Sequence, residues 1–228
     1  DRRQRQMCIR DSMNRAFSLA TSGRPGPVVL VTPEDMLSQI SKVKIPILSP
    51  VIKSEMPSKG FSALIEKFKK SKKPLIIIGG SGWTNKSCSK FHHFINENNI
   101  PVATSFRRQD LFDHKNENFA GSFGTSVSPK LIDSTKNSDL IIVLGARLGE
   151  MTTQGYSIIS PQDISKNIMH IHVDPNELNK VFNANVCINV GVNECCDKLE
   201  ELTLDNSNRW KEWRLCLIHI SEPTRPLY

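Results

Sequence analysis

The spacing of hydrophobic positions changes period along the chain. Phe61, Leu64, Ile65 and Phe68 stand at i, i+3, i+4 and i+7. That is the apolar stripe of a helix, which Ser58 can cap and Pro74 ends. Leu75–Ile78 is then a continuous apolar run, closed by Gly79-Gly80-Ser81-Gly82. Short runs of this kind between breakers predict strands buried on both faces. The pattern returns to helix over Asn85–Asn98, burying Cys88, Phe91, Phe94 and Ile95, and to strand over Pro101–Thr104. Ser128-Pro129 opens a helix carrying Leu131 and Ile132, with proline at its favoured first position. Leu140–Leu144 predicts a strand ending in Gly145, and Ile168–Val173 another ending in Asp174-Pro175. Val186–Val190 is the last, followed by a helix around Asn193–Leu204. Strands alternating with helices predict an α/β fold, a doubly wound and mainly parallel sheet with helices on both faces.

Thr21–Leu37 reads TSGRPGPVVLVTPEDML. Gly23, Pro25, Gly26 and Pro27 punctuate it, and Val28–Val31 runs apolar until Thr32-Pro33 stops it. This predicts a buried strand of a parallel sheet. The residues before it cannot supply the neighbours such a strand needs. The expectation is a chain that begins inside a domain whose larger part lies upstream. Ser38–Pro57, with Pro46, Pro50 and Pro57, reads as an inter-domain linker.

The two ends look foreign to the protein. Leu217-Ile218-His219-Ile220 can be encoded by a DNA sequence whose complementary strand encodes Met7-Cys8-Ile9 and the start of Arg10. Both ends resemble read-through of transposon-based sequencing adapters. Residues 1–12 and 215–228 are therefore set aside, with the expectation that they pack against nothing.

The stretch between them, about 200 residues, suffices for one domain and a piece of another. The formal net charge of +7 comes mostly from dispersed lysines; Lys69, Lys70, Lys72 and Lys73 fall at a helix C-terminal end, where they suit its dipole. With two Tyr and three Trp, the clustering and aromatic interleaving of a nucleic-acid face are missing. Cys88, Cys187, Cys195 and Cys196 lack Cys-x-x-Cys spacing and read as buried thiols of a reducing compartment, which points to the cytoplasm. No apolar run reaches membrane-span length and no signal peptide is visible.

In a doubly wound sheet, ligands bind beyond the carboxyl ends of the strands. Distinctive residues follow four of the predicted strands. Gly79, Gly80 and Gly82 admit a phosphate or simply make a tight turn. Arg107 and Arg108 form a phosphate clamp, or a pair satisfied by Asp110 or Asp113. Gly145, Ala146 and Arg147 combine small residues with a cation. Asp174 accepts ribose hydroxyls or caps a helix. Together they suggest a nucleotide site or its remnant. His170 and His172 alternate on one strand face, but a third metal ligand is not evident, so they read as core-edge histidines. His92 and His93 point apart on a helix.

These residues, in this order, resemble thiamine-diphosphate enzymes of the acetolactate synthase type. The resemblance runs through SGRPGPVVL…PED, KPLIIIGGSGW, NIPVATSF, NFAGSFG, SDLIIVLGARLGE and IMHIHVDPNEL, and covers Met13 to about Leu204. It implies that residues 13–37 are the end of the domain binding the cofactor's pyrimidine ring and 38–57 a linker. Residues 58–206 are then a central Rossmann-like domain and 207–214 the start of the next linker. It implies FAD or ADP in that domain in some members and nothing in others. Gly79, Gly80, Gly82, Arg107, Gly121, Gly124, Gly145, Ala146, Arg147 and Asp174 would line such a site. After Gly145-Ala146-Arg147 this chain reads Leu148-Gly149-Glu150-Met151, where acetolactate synthases proper carry Phe and two Asp. The chain so resembles a synthase-like relative of unassigned substrate. The catalytic glutamate would lie upstream. The Gly-Asp-Gly…Asn motif that holds Mg2+ and the diphosphate would lie downstream, and no Gly-Asp-Gly occurs here. The expectation is a fragment of a carboligase or decarboxylase acting on a 2-keto acid, silent alone, from a homodimeric or homotetrameric parent without membrane or nucleic-acid partners. The alternative is a non-catalytic FAD- or ADP-binding Rossmann-like module.

Overall fold

The structure is a computed structural model that describes residues 2–38, 40, 54–162, 167–204 and 209–218. The chain divides into two units, Asp1–Lys53 and Ser54–Tyr228.

The first unit holds α1 (Arg2–Thr21) and α2 (Glu34–Leu37). Helix α1 runs without a break across residue 12, where the sequence separates a foreign tail from native chain. Residues 25–33 have no regular structure, so the strand expected over Val28–Val31 is not formed. The backbone there alternates strongly in exposure: Val29 and Val31 are 85% and 87% exposed, Val28 and Leu30 41% and 37%. The two-residue period of a strand is present, but a strand exists only as a hydrogen-bonded member of a sheet. The described residues of this unit contain no other strand to pair with it. Most of the expected linker, 39 and 41–53, lies outside the described residues. Its end does not run over a surface, because Met56 is buried in the second unit's core.

The second unit is built on six parallel strands in the order β3-β2-β1-β4-β5-β6. In chain order its elements are α3 (Ser58–Lys70), β1 (Pro74–Ile78), α4 (Asn85–Asn98), β2 (Val102–Thr104), β3 (Phe119–Ser122), α5 (Pro129–Asn137), β4 (Leu140–Leu144), α6 (Glu150–Thr153), β5 (Ile168–His172), β6 (Val186–Asn189), α7 (Val192–Leu199) and α8 (Lys211–Ile218). Strands β1, β2, β4 and β5 are buried along their whole length because both faces are covered. Ile76, Ile78, Ile142, Leu144, Met169 and Ile171 meet Leu64 and Phe68 of α3, Phe91, Phe94 and Ile95 of α4, and Val192, Cys195 and Leu199 of α7. The residues between them, Leu75, Ile77, Ile141, Val143 and Ile168, face Leu131 of α5, Ile158, Phe182 and Leu217. The period of two thus sorts one continuous apolar run into two cores.

Several boundaries differ from the sequence reading. Helix α3 ends at Lys70 and Pro74 opens β1; Asp139 closes the turn between them, its Oδ1 accepting from Ser71 Oγ and Lys73 N–H and its Oδ2 from Lys72 N–H. Ser58 is the first helical residue and Pro57 the N-cap, without a side-chain bond. The helix expected to reach Leu204 stops at Leu199, since Asn98 takes the next stretch: its amide donates to Leu202 O and its Oδ1 accepts from Leu204 N–H. Strand β3 has only Phe119 and Ala120 as apolar residues before Gly121, too short an alternation to read. Residues 209–218, read as linker and tail, pack. Trp210 packs at a tilt against Phe68 and donates to Ser71 O, Trp213 donates to Pro74 O, and Arg214 bonds Asn99 and Asn118. Leu217 is fully buried, so the expectation that 215–228 packs against nothing fails at that residue.

Candidate functional site

With strand order 3-2-1-4-5-6, the connections leave β1 toward β2 on one side and β4 on the other. The loops after β1 and β4 therefore lie side by side at the switch point, where such sheets take ligands. Gly79 N–H donates to Leu144 O at 3.1 Å and Gly145 N–H to Ile171 O at 2.8 Å. Gly80 has φ +73° and Gly145 φ +70°; a Cβ on Gly80 would stand 1.8 Å from Gly145 O, and one on Gly145 2.7 Å from Gly79 O. These glycines let two backbones touch, which favours the tight-turn reading over a phosphate cradle. The loop is also filled from within. Trp83 Nε1 donates to Gly79 O at 2.8 Å, Asn193 Nδ2 to Gly82 O at 2.8 Å, and Val192 lies against Gly145. The start of α4 is closed by a capping box: Thr84 Oγ1 accepts from Ser87 N–H and Ser87 Oγ from Thr84 N–H. Two donors that would face an anion are thereby paired.

The Arg107–Arg108 pair is divided. Arg108 makes two bonds to the Asp110 carboxylate, 3.0 and 3.1 Å long, which hold that carboxyl below its usual range. Arg107 adopts φ +61°, is exposed, and has its guanidinium 5.1 Å from the centroid of the Phe106 ring. A bulky residue in the left-handed region carries backbone strain. The Phe106 ring sits where a Cβ on Gly124 would approach to 2.9 Å, so Gly124 makes room for the side chain beneath Arg107. Gly121, at φ +127°, faces Leu131. Thr104 and Ser122 share a 2.7 Å hydroxyl bond across the ends of β2 and β3.

Arg147 is 57% exposed and 3.9 Å from the half-buried Glu177, which Lys180 also meets at 3.4 Å. Ala146 is buried, and its carbonyl accepts from His170 Nε2 at 2.9 Å. Asp174 Oδ1 accepts from Asn176 N–H and caps the short turn Pro175–Glu177, the capping role weighed against ribose binding. Sequence reasoning singled out neither Trp83, Phe106, Val192 nor Glu177. Phe106, Val192 and Glu177 act through contacts distant in sequence, with Gly124, Gly145 and Arg147; Trp83, directly after the Gly-rich loop and bonded to Gly79 within it, carried a local signal.

His170 and His172 are buried rather than edge residues, at 5% and 3% exposure. Burial lowers the His170 pKa, although its bond to Ala146 opposes this. Among the described residues no group of three His, Cys, Asp or Glu side chains is placed to hold a metal. Cys195 and Cys196 are buried, with the Cys195 thiol pushed up to about 12 by desolvation and Cys196 also raised. Cys88 and Cys187 are only half-buried, less than expected. No helix among the described residues is long and apolar enough to cross a membrane.

Residues 61–199 match the family described as thiamine pyrophosphate enzyme, central domain. The chain belongs to the thiamine pyrophosphate enzyme family. The match covers all six strands of the sheet and ends with α7. The chain is also similar to the mitochondrial acetolactate synthase of Schizosaccharomyces pombe, 30% identical over 210 residues, covering 84% of this chain and 31% of the relative. It is 29% identical over 215 residues to the acetolactate synthase large subunit of Buchnera aphidicola subsp. Schlechtendalia chinensis, covering 90% and 36%. It is 26% identical over 203 residues to the acetolactate synthase isozyme 3 large subunit of Escherichia coli, covering 86% and 34%. The chain spans about a third of the length of these curated relatives.

Proposed function

We propose that this chain is a fragment, the end of the pyrimidine-binding domain and the central domain, of a thiamine-diphosphate-dependent, acetolactate-synthase-like carboligase or decarboxylase acting on a 2-keto acid. The carrying observation is the central-domain match over residues 61–199, with acetolactate synthases as relatives on both sides of it. The cofactor, when bound with Mg2+, supplies the electron sink for decarboxylation. None of this chain's residues is assigned to hold it, and the parent is read as a soluble cytoplasmic homodimer or homotetramer. Here the six-stranded sheet acts as a rigid spacer, and its interlocked Gly80 and Gly145 loops keep the ligand-facing edge closed. The test is turnover of 2-keto acids by the purified chain with thiamine diphosphate and Mg2+. No carbon dioxide release above the cofactor-only background is expected; steady turnover would sink the assignment of catalysis to other parts of the parent.

A nucleotide in the central domain is the second reading. Arg107, exposed at the end of β2 and without a carboxylate partner among the described residues, favours it. The paired donors of α4 and the engaged Asp174 oxygen weigh against FAD or ADP seated on the β1 loop. Titrating the chain with FAD and with ADP separates the outcomes. Saturable binding weakened by Arg107→Gln supports the nucleotide; no binding of either supports a purely structural domain.

A further inference from the structure

The segment between α1 and α2 is apolar, exposed and unpaired. Val29 and Val31 are almost wholly exposed and Val28 and Leu30 less so, the alternation of a strand. Residues 24–33 contain no positive φ, and 28–32 make no main-chain hydrogen bond among the described residues. In an extended chain, the N–H and C=O groups of successive residues point to opposite edges. The prolines sort those edges. Pro25, Pro27 and Pro33 all fall at odd positions and cannot donate to a neighbouring strand. Val28, Leu30 and Thr32 stand on the even edge, each with its N–H. Gly26, also even, already donates to Ala20 O at 3.1 Å. One edge is therefore interrupted by proline and the other is open.

We propose that the open edge pairs with the same edge of a second copy of this chain, as an antiparallel ribbon centred on Val29. Charge complementarity selects both the occupant and the register. Arg24 stands five residues before Val29 and Glu34 five after it. Antiparallel pairing about Val29 thus sets each Arg24 opposite the partner's Glu34, once at either end. Pairing about Leu30 would set Arg24 opposite the partner's Met36, and parallel pairing in register would set like charges side by side. In the Val29 register, Val28 and the partner's Leu30 exchange main-chain bonds. Thr32 donates to the carbonyl of the partner's Gly26. Val29 meets the partner's Val29 in a pair without main-chain bonds, where side chains lie closest. Every proline is left on the outer edge, so a third copy finds no continuous row of donors and the assembly closes at a dimer. A ribbon this short is weak, so the dimer forms only at high concentration. This inference rests on the segment alone and not on the proposed reaction.

The test is sedimentation velocity of the full chain between about 10 and about 500 µM. Reducing buffer keeps the exposed Cys216 from linking copies. A shift from monomer to dimer is expected, with no larger species. Leu30→Pro removes a donor from the open edge and should weaken association by about tenfold or more. Val29→Pro removes one from the interrupted edge and should change association less than about threefold. Neither position belongs to the six-stranded sheet, so cooperative unfolding of that sheet checks that both variants are folded. Glu34→Arg should weaken the dimer, and adding Arg24→Glu to it should restore the dimer, which a merely sticky surface would not do. A chain that stays monomeric at about 500 µM leaves the edge to the rest of the parent and overturns the pairing. Open-ended polymers overturn it too, as do equal effects of Leu30→Pro and Val29→Pro.

Discussion

Gly80 and Gly145 bear the tightest constraint on any single residue of the site. Each combines a left-handed φ with a carbonyl oxygen where a Cβ would stand, so repacking cannot relieve a substitution. Gly80→Ala and Gly145→Ala should each cost more than about 2 kcal/mol in urea denaturation. Gly149, with nothing within 4 Å of its Cβ position and no left-handed φ, should tolerate Ala within about 0.5 kcal/mol. Glycines near the strand ends that the sequence does not tell apart thus separate by environment. The cysteines separate in the same way. Cys195, its thiol pushed up to about 12, and the buried Cys196 should resist iodoacetamide in the folded chain and react on unfolding. Exposed Cys216 should react in both states. Mass spectrometry of the alkylated chain reads all three.

At the scale of elements, legibility followed the kind of partner each element needs. Helix α4 and strand β4 have the bounds that periodicity predicts, since their burial pattern is local and their breakers are sharp. Strand β3 and helix α8 were not legible, because the first is held by β2 and the second by residues far back in the chain. Val28–Val31 shows the reverse case, with strand-forming residues and no sheet. The segment around α8 can be tested directly. Trp210 is buried against Phe68, so Trp210→Ala should cost about 3–5 kcal/mol and lower the denaturation midpoint. A neutral result would return 209–218 to the status of a loose linker and tail. Asp139→Ala removes the acceptor for three donors in the turn between α3 and β1 and should cost about 1–2 kcal/mol by the same measurement.

For the whole molecule, the order 3-2-1-4-5-6 brings the loops after β1 and β4 together, and this juxtaposition decides what the candidate residues can do. Of the four strand-end groups, the Gly-rich loop is interlocked, Asp174 is a cap, and Arg147 leans toward Glu177. Arg107 alone keeps its charge without a carboxylate partner among the described residues. Added FAD or ADP should therefore raise the melting temperature only if Arg107 is engaged, and Arg107→Gln should abolish that shift while leaving the unliganded melting temperature in place. By itself the sequence determined the α/β class, the parallel sheet, most element positions and the enzyme family. These rest on local periodicity, on breakers, and on motifs that are contiguous along the chain. Only the tertiary structure decided that the glycines serve backbone contact, that Arg108 is spent on Asp110 while Arg107 is not, and that His170 ties β5 to the loop after β4. The glycine contacts and the His170 bond depend on residues that the chain separates and the sheet order reunites, whereas the Arg108–Asp110 pair is local and the fold only chose it among the partners the sequence offered.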